Sequence, residues 1–224
     1  MSAIHQLLLS VGSAPATAAI TYVSSNSNES NLTTYTFSAQ SIGTAAADRF
    51  VIVGCYAPRN TSTCTITDVT IGGITATQLV QSKDASAFSD FAIYGASVPT
   101  GTTADVVVTL SAAPDRFGID VFAATALSST TPTATQTDNT ASVNLSKSIT
   151  VQANGFILGC SGNENTAATH TWTNLTERLD QATGTGGSSQ TSASDVYSTG
   201  QSVTVTQSPS AAQSRQALLL IAMR

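Results

Sequence analysis

The side chains able to act as acid, base or nucleophile are few in this chain, so their spacing is tested first. His5 and His170 are the two histidines. A serine or cysteine nucleophile needs an imidazole held beside it and oriented by a third group. His5 lies in an apolar N-terminal run, His170 lies in a Thr-rich stretch with no acidic neighbour in sequence, and no Gly-x-Ser-x-Gly elbow occurs. Asp115 with Asp120, and Glu177 with Asp180, are the carboxylate pairs that could divide acid and base work on a glycosidic bond. Asp115 stands in Ala113-Pro114-Asp115-Arg116, a turn in which a carboxylate accepts backbone amides. Glu177 and Asp180 flank Leu179 in a strand-edge pattern, where charge discourages pairing between sheets. These contexts assign the four acids to structure, and the chain is expected not to be an enzyme.

Metal and cofactor chemistry finds no better footing. Cys55, Cys64 and Cys160 are the three cysteines; no pair has the C-x-x-C spacing, and two histidines cannot complete a Cys/His zinc site. An odd count in strand-like surroundings reads as small buried hydrophobes rather than a disulfide framework, with a Cys55–Cys64 bridge across a hairpin as the alternative. No Asp-x-Asp-x-Asp-Gly loop is present for calcium. Sugar binding without a metal needs exposed aromatic rings, and aromatic residues make up 6% of the chain. Trp172, Tyr94 and Tyr197 all fall inside expected strands and read as core. Asn28, Asn31, Asn60, Asn144 and Asn174 head N-x-Ser/Thr triplets, which arise by chance in a chain so rich in Ser and Thr. No catalytic, cofactor or metal residue is therefore assigned.

The elements that must carry these residues are strands. Of the 224 residues, 41% are hydrophobic and 9% are charged, well under the usual quarter for charge. Ser and Thr replace Lys and Glu, which suits the wet face of a strand and disfavours helices. The net charge of −5 and the scattered basic residues argue against nucleic-acid binding, and no run approaches the length of a membrane helix. Arg49 to Tyr56 is a continuous apolar run, as in a central strand covered on both sides. Thr67 to Ile71 alternates, Gly72-Gly73 makes a tight turn, and Ile74 to Val80 returns. Phe91 to Val98 and Val106 to Leu110 form a hairpin, and Phe117 to Ala123 follows. Ser128 to Asn139 reads as a crossing linker, and Thr183 to Ser189 as a long mobile loop.

The scaffold is written twice. Val53-Gly54-Cys55 recurs as Leu158-Gly159-Cys160, and Asp68-Val69-Thr70 as Thr171-Trp172-Thr173. Val106 to Thr109 answers to Val203 to Thr206, and Phe117 to Ala123 to Gln216 to Ala222. An offset held near a hundred residues marks internal repetition. The expected fold is all-β: a two-sheet antiparallel sandwich, jelly-roll-like, of about a dozen strands built from a pseudo-duplicated half. Residues 21–224 form a single sandwich domain with pseudo-repeats at about 34–125 and 140–224, since each half looks too thin in large side chains to fill its own core. Residues 1–20 form an N-terminal docking segment, in which Ile4, His5, Leu7, Leu8, Leu9 and Val11 are the candidate docking residues, each leucine contributing about 1.5–3 kcal/mol if fully buried against a partner. The alternative is an edge strand of the chain's own sheet.

Three stretches, Asp48 to Val53, Val69 to Thr77 and Ser97 to Thr102, resemble β-sandwich proteins encoded among the virion genes of tailed bacteriophages. The opening Met1 to Leu9 is similar to the start of some phage tail or appendage proteins. The resemblance lies in scaffold motifs and transfers no catalytic residue. It implies a non-catalytic accessory protein on the virion exterior, assembled in the bacterial host cytoplasm. A capsid decoration (cement) protein, contacting the major capsid protein or another virion protein as a homo-oligomer, is the leading expectation. A tail or fibre component and a module binding a host surface glycan are the alternatives.

Overall fold

A computed structural model describes residues 16–59, 62–140, 143–164, 168–184, 187–211, 213 and 215–224. The first half of the chain supplies nine strands: β1 (Ala19–Asn28), β2 (Thr34–Ser41), β3 (Phe50–Ala57), β4 (Ile66–Ile71), β5 (Ile74–Thr75), β6 (Thr77–Lys83), β7 (Asp90–Ser97), β8 (Thr103–Leu110) and β9 (Phe117–Thr125). The second half supplies eight: β10 (Ala134–Asp138), β11 (Leu145–Val151), β12 (Gly155–Asn163), β13 (His170–Thr173), β14 (Thr176–Ala182), β15 (Ser189–Tyr197), β16 (Gln201–Pro209) and β17 (Gln216–Met223). Among the described residues there is no helix.

The strands form four antiparallel sheets, two from each half. The first half gives β1-β9-β3-β7-β6 and β2-β8-β4-β5; the second gives β10-β17-β12-β15-β14 and β11-β16-β13. The two five-stranded orders become identical when each strand is replaced by its counterpart, β1 by β10, β9 by β17, β3 by β12, β7 by β15 and β6 by β14. The outer sheets match likewise as β2, β8, β4 against β11, β16, β13, with β5 left over. The duplication seen in the sequence is thus a duplication of topology.

Three cores separate four layers. Tyr35, Phe37, Val51, Val53, Val106, Val108 and Phe117 fill the space between the first pair of sheets; the Tyr35 and Phe117 rings stack with centroids 4.9 Å apart. Leu145, Ile149, Ile157, Val205, Leu218 and Leu220 fill the second pair. A middle core joins the halves: Phe50, Ile52, Phe91, Ile93 and Phe122 meet Phe156, Leu158, Cys160, Leu219, Ile221 and Met223. The five-stranded sheets therefore lie back to back and are covered on both faces, which is why β3, β12 and β17 are buried from end to end. Polar ties lace the same junction. Arg215 pairs with Glu164 at 2.8 Å and lies 5.0 Å from the centroid of the Phe88 ring, and the Ala18 N–H donates to Asn154 O at 2.9 Å.

The all-β antiparallel sandwich class holds, but four sheets and 17 strands replace the expected two sheets and dozen strands. The thinness of each half had suggested a shared core. Small β-branched side chains and stacked rings suffice for the outer cores, while a further set of rings, Phe50, Tyr56, Phe91, Phe122 and Phe156, meets in the middle one. The stretch from Ser128 to Asn139, expected as a linker, contains β10, which pairs with β17 from Ala134↔Ala222 to Asp138↔Leu218. The expected long loop before β15 is short at its base: the Thr183 N–H donates to Ser188 O at 2.8 Å, and both residues are buried. Gly72 and Gly73 make the predicted turn with φ of 60° and 77°. Arg49, at the entrance to β3, is buried and donates to the carbonyls of Val98, Gly43 and Thr100, each at 2.7 Å. Three backbone acceptors thus solvate the guanidinium inside the fold.

Candidate functional site

The groups with chemical potential gather on β15 and on the strands it touches. β15 carries an unbroken polar run, Ser189-Gln190-Thr191-Ser192, that is buried throughout. Alternation along the strand splits it. Gln190 and Ser192 face the first half across the middle core, while Ser189 and Thr191 face the interior of the second sandwich.

On the first-half side, β3 and β9 pair with Gly54↔Asp120 and Tyr56↔Gly118 in register. Asp120 is fully buried and its Oδ2 accepts the Tyr56 hydroxyl at 2.9 Å. Burial pushes its carboxyl up from 3.8 to about 6, while the hydrogen bond from Tyr56 works in the opposite sense. In turn the Tyr56 hydroxyl and the Cys160 thiol are raised, first by their own burial and then by the charge of Asp120. Gln190 donates to Ile119 O at 3.0 Å and accepts from the Thr183 hydroxyl at 3.2 Å. The two glycines make room for these polar groups. A Cβ on Gly54 would stand 1.9 Å from Asp120 Oδ1, and one on Gly118 would stand 1.7 Å from Gln190 Oε1.

On the other side lies a histidine cluster that the sequence did not reveal. His170 is 4% exposed and Ser189 2%, and Nε2 is 2.6 Å from Ser189 Oγ. Asn163 Nδ2 lies 3.3 Å from the same nitrogen. Gln207 meets Nδ1, and its Oε1 accepts the Ser161 hydroxyl at 3.2 Å. With that oxygen occupied, the Gln207 amide nitrogen is the group that donates to Nδ1. Nε2 meets both the Ser189 hydroxyl and the Asn163 amide nitrogen, so the ring is held by three polar side chains rather than by a carboxylate that would orient it as a general base. Asp180 accepts the His170 backbone N–H at 2.8 Å. Burial lowers the imidazole's affinity for a second proton, with the Asp180 charge opposing it. This constellation is a neutral hydrogen-bonded tie.

The remaining candidates are dispersed. Asp115 lies in the turn before β9, where its N–H donates to Pro58 O, and it does not join Asp120. Glu177 and Asp180 lie on β14, an edge of its sheet, as the edge-charge reading expects; burial and then Asp180 raise the Glu177 carboxyl. Cys55, Cys64 and Cys160 are buried free thiols. Tyr94 is core, Trp172 donates from Nε1 to Thr191 Oγ1 at 2.8 Å, and Tyr197 is half-buried. Asn28 accepts the nearby Ser30 N–H, Asn31 and Asn174 donate to the distant carbonyls of Pro114 and Thr204, Asn144 is exposed, and Asn60 lies outside the described residues. The docking residues Ile4, His5, Leu7, Leu8, Leu9 and Val11 also lie outside them. Among the described residues no three of His, Cys, Asp and Glu gather as a metal ion requires.

No known protein family matches the chain, and no curated protein matches it either. Its chemistry is therefore argued from the arrangement above. The signal for the buried ties was present in Gly54 and Gly118, since glycine inside a strand marks a close approach by another group.

Proposed function

We propose that this chain is a non-enzymatic structural protein, an accessory component on the exterior of a tailed-bacteriophage virion, acting as a capsid decoration protein. One observation carries the scaffold part of the reading: Asp120 and His170, the buried groups best placed for acid–base work, are sealed between sheets. Asp120 sits at the seam hydrogen-bonded to Tyr56 of its own half, Gln190 crosses that seam to Ile119 O, and His170 ties strands within the second half. A stacked double sandwich with hydroxyl-rich outer strands and few charges is suited to crowding on a lattice without pairing sheet to sheet. The virion part rests on the resemblance of the strand and turn motifs at 48–53, 69–77 and 97–102. The partner is then the major capsid protein or another virion protein, and the chain works as a homo-oligomer whose many weak contacts sum over the lattice.

Quantitative mass spectrometry of purified particles tests this reading. Decoration of a capsid lattice requires copies in the hundreds per particle. A handful per particle would replace it with a tail or fibre component, and absence from particles would end the virion reading altogether.

A further inference from the structure

The two halves differ at one place in their strand plan, and the difference opens a groove. In the first half the chain reverses at Gly72-Gly73 and returns as β5, pairing Thr75 with Thr70 and Ile74 with Ile71. Beyond it, Ala76 is buried, as is Val98 of the β7–β8 connection. In the second half β13 passes to β14 through Asn174 and Leu175 alone. The space at that end of the sandwich is an open groove of about 690 Å³, walled by this connection, the end of β15 and the start of β16.

The walls are fixed by their own side chains. Asn174 takes a left-handed φ of 66° and its Nδ2 donates to Thr204 O at 2.8 Å. The Tyr197 hydroxyl donates to Asn174 O at 3.1 Å, which pins the ring against the groove. Asp195 accepts the Thr176 N–H at 2.9 Å and has Arg178 at 3.7 Å. With these contacts the groove is held in one shape before any ligand arrives. What it offers is the half-buried Tyr197 ring, on the face of β15 that also carries the Asp195 carboxylate, together with the Gln201 amide. Gln201 and Ser202 are exposed and direct no side-chain hydrogen bond at the rest of the described chain.

We propose that this groove binds a neutral oligosaccharide. A pyranose presents an apolar C–H face and a rim of hydroxyls, which matches an aromatic ring flanked by a carboxylate and an amide. The Asp195 carboxylate accepts sugar hydroxyls, and because Arg178 is paired with it the groove keeps no free cation to hold an anionic sugar. An open site of this kind is preorganised but shallow, so the affinity is modest, with Kd of about 0.1–1 mM. The proposal does not depend on the virion reading, since a glycan site serves any surface-exposed scaffold.

The test uses the full chain on an array of neutral glucose-, galactose- and mannose-based oligosaccharides, followed by saturation-transfer NMR titration with the strongest hit. Binding is expected for at least one neutral oligosaccharide, weakened tenfold or more by Tyr197→Ala and several-fold by Gln201→Ala. Gln201 is exposed, so its variant keeps the wild-type melting temperature and remains decisive if Tyr197→Ala unfolds. Silence across the neutral array at millimolar glycan overturns the proposal. So does binding that Gln201→Ala and Tyr197→Ala leave intact, which would place the site elsewhere, or binding confined to acidic glycans.

Discussion

Replacing Asp120 by asparagine isolates the electrostatic consequence of joining two sandwiches through a buried polar seam. The carboxyl titrates at 3.8 when free and at about 6 in the fold. At about 1.36 kcal/mol per pH unit, that difference corresponds to about 3 kcal/mol. The sign follows from which state holds the proton. Below pH 3.8 both states are neutral at this site and the fold carries no penalty. Between pH 4 and 6 the folded state keeps a proton that the unfolded state has released, so stability falls as pH rises. Above about 6 the anion is buried and the penalty is constant. Asparagine keeps the shape and cannot ionise, so any fixed change in hydrogen bonding is the same at every pH. Urea unfolding of wild type and Asp120→Asn at matched pH values removes the contribution of other groups by subtraction. The stability of the variant relative to wild type should rise by about 2.4 kcal/mol between pH 4 and 7, since part of the change is already complete at pH 4. A difference that stays flat or falls over that range would refute the claim that Asp120 is buried in the seam.

Other consequences are equally specific. Gly54→Ala drives a methyl into Asp120 Oδ1 and should lower stability by about 1–3 kcal/mol in denaturant titration; a neutral effect would mean that the two strands do not meet as described. The His170 imidazole should titrate below its ordinary 6.5 by NMR, because burial disfavours the cation. The unfolded ring gains its proton first, so this site removes stability as pH falls through 6.5, and titration at or above that value contradicts the sealed cluster. The three thiols are buried and free, so a chromogenic disulfide reagent should find none reactive in the native protein and all three after denaturation.

The strands and their repetition were legible because apolar runs and glycine turns are local signals. Val106 to Thr109 and Val203 to Thr206 alternate, and their matched residues do face equivalent cores. The match of Val53-Gly54-Cys55 to Leu158-Gly159-Cys160 is out by one residue in facing. Val53 and Cys55 point into the first core, whereas Leu158 and Cys160 point into the middle one. A strand buried on both faces has no polar side, so its pattern cannot fix its register. For the same reason the sequence did not distinguish two sheets from four. β15 misled in the opposite direction. Its Ser189, Gln190 and Thr191 side chains resemble a wet face, yet they are buried because His170, Ile119 O and Trp172 supply partners from other strands. No local pattern announces a partner that arrives from 71 residues away, as Ile119 does. The groove beside Tyr197 was hidden too, since it exists because a short strand present in one half has no counterpart in the other.

Hydrogen exchange read segment by segment on the intact chain tests the central claim, that two duplicated sandwiches are fused back to back through a shared middle core. The account predicts that Phe50–Ala57 and Phe117–Thr125 in one half, and Gly155–Asn163 and Gln216–Met223 in the other, exchange slowest and together, through the same global opening. Exchange of one half's central strands as a separate, faster unit would contradict it.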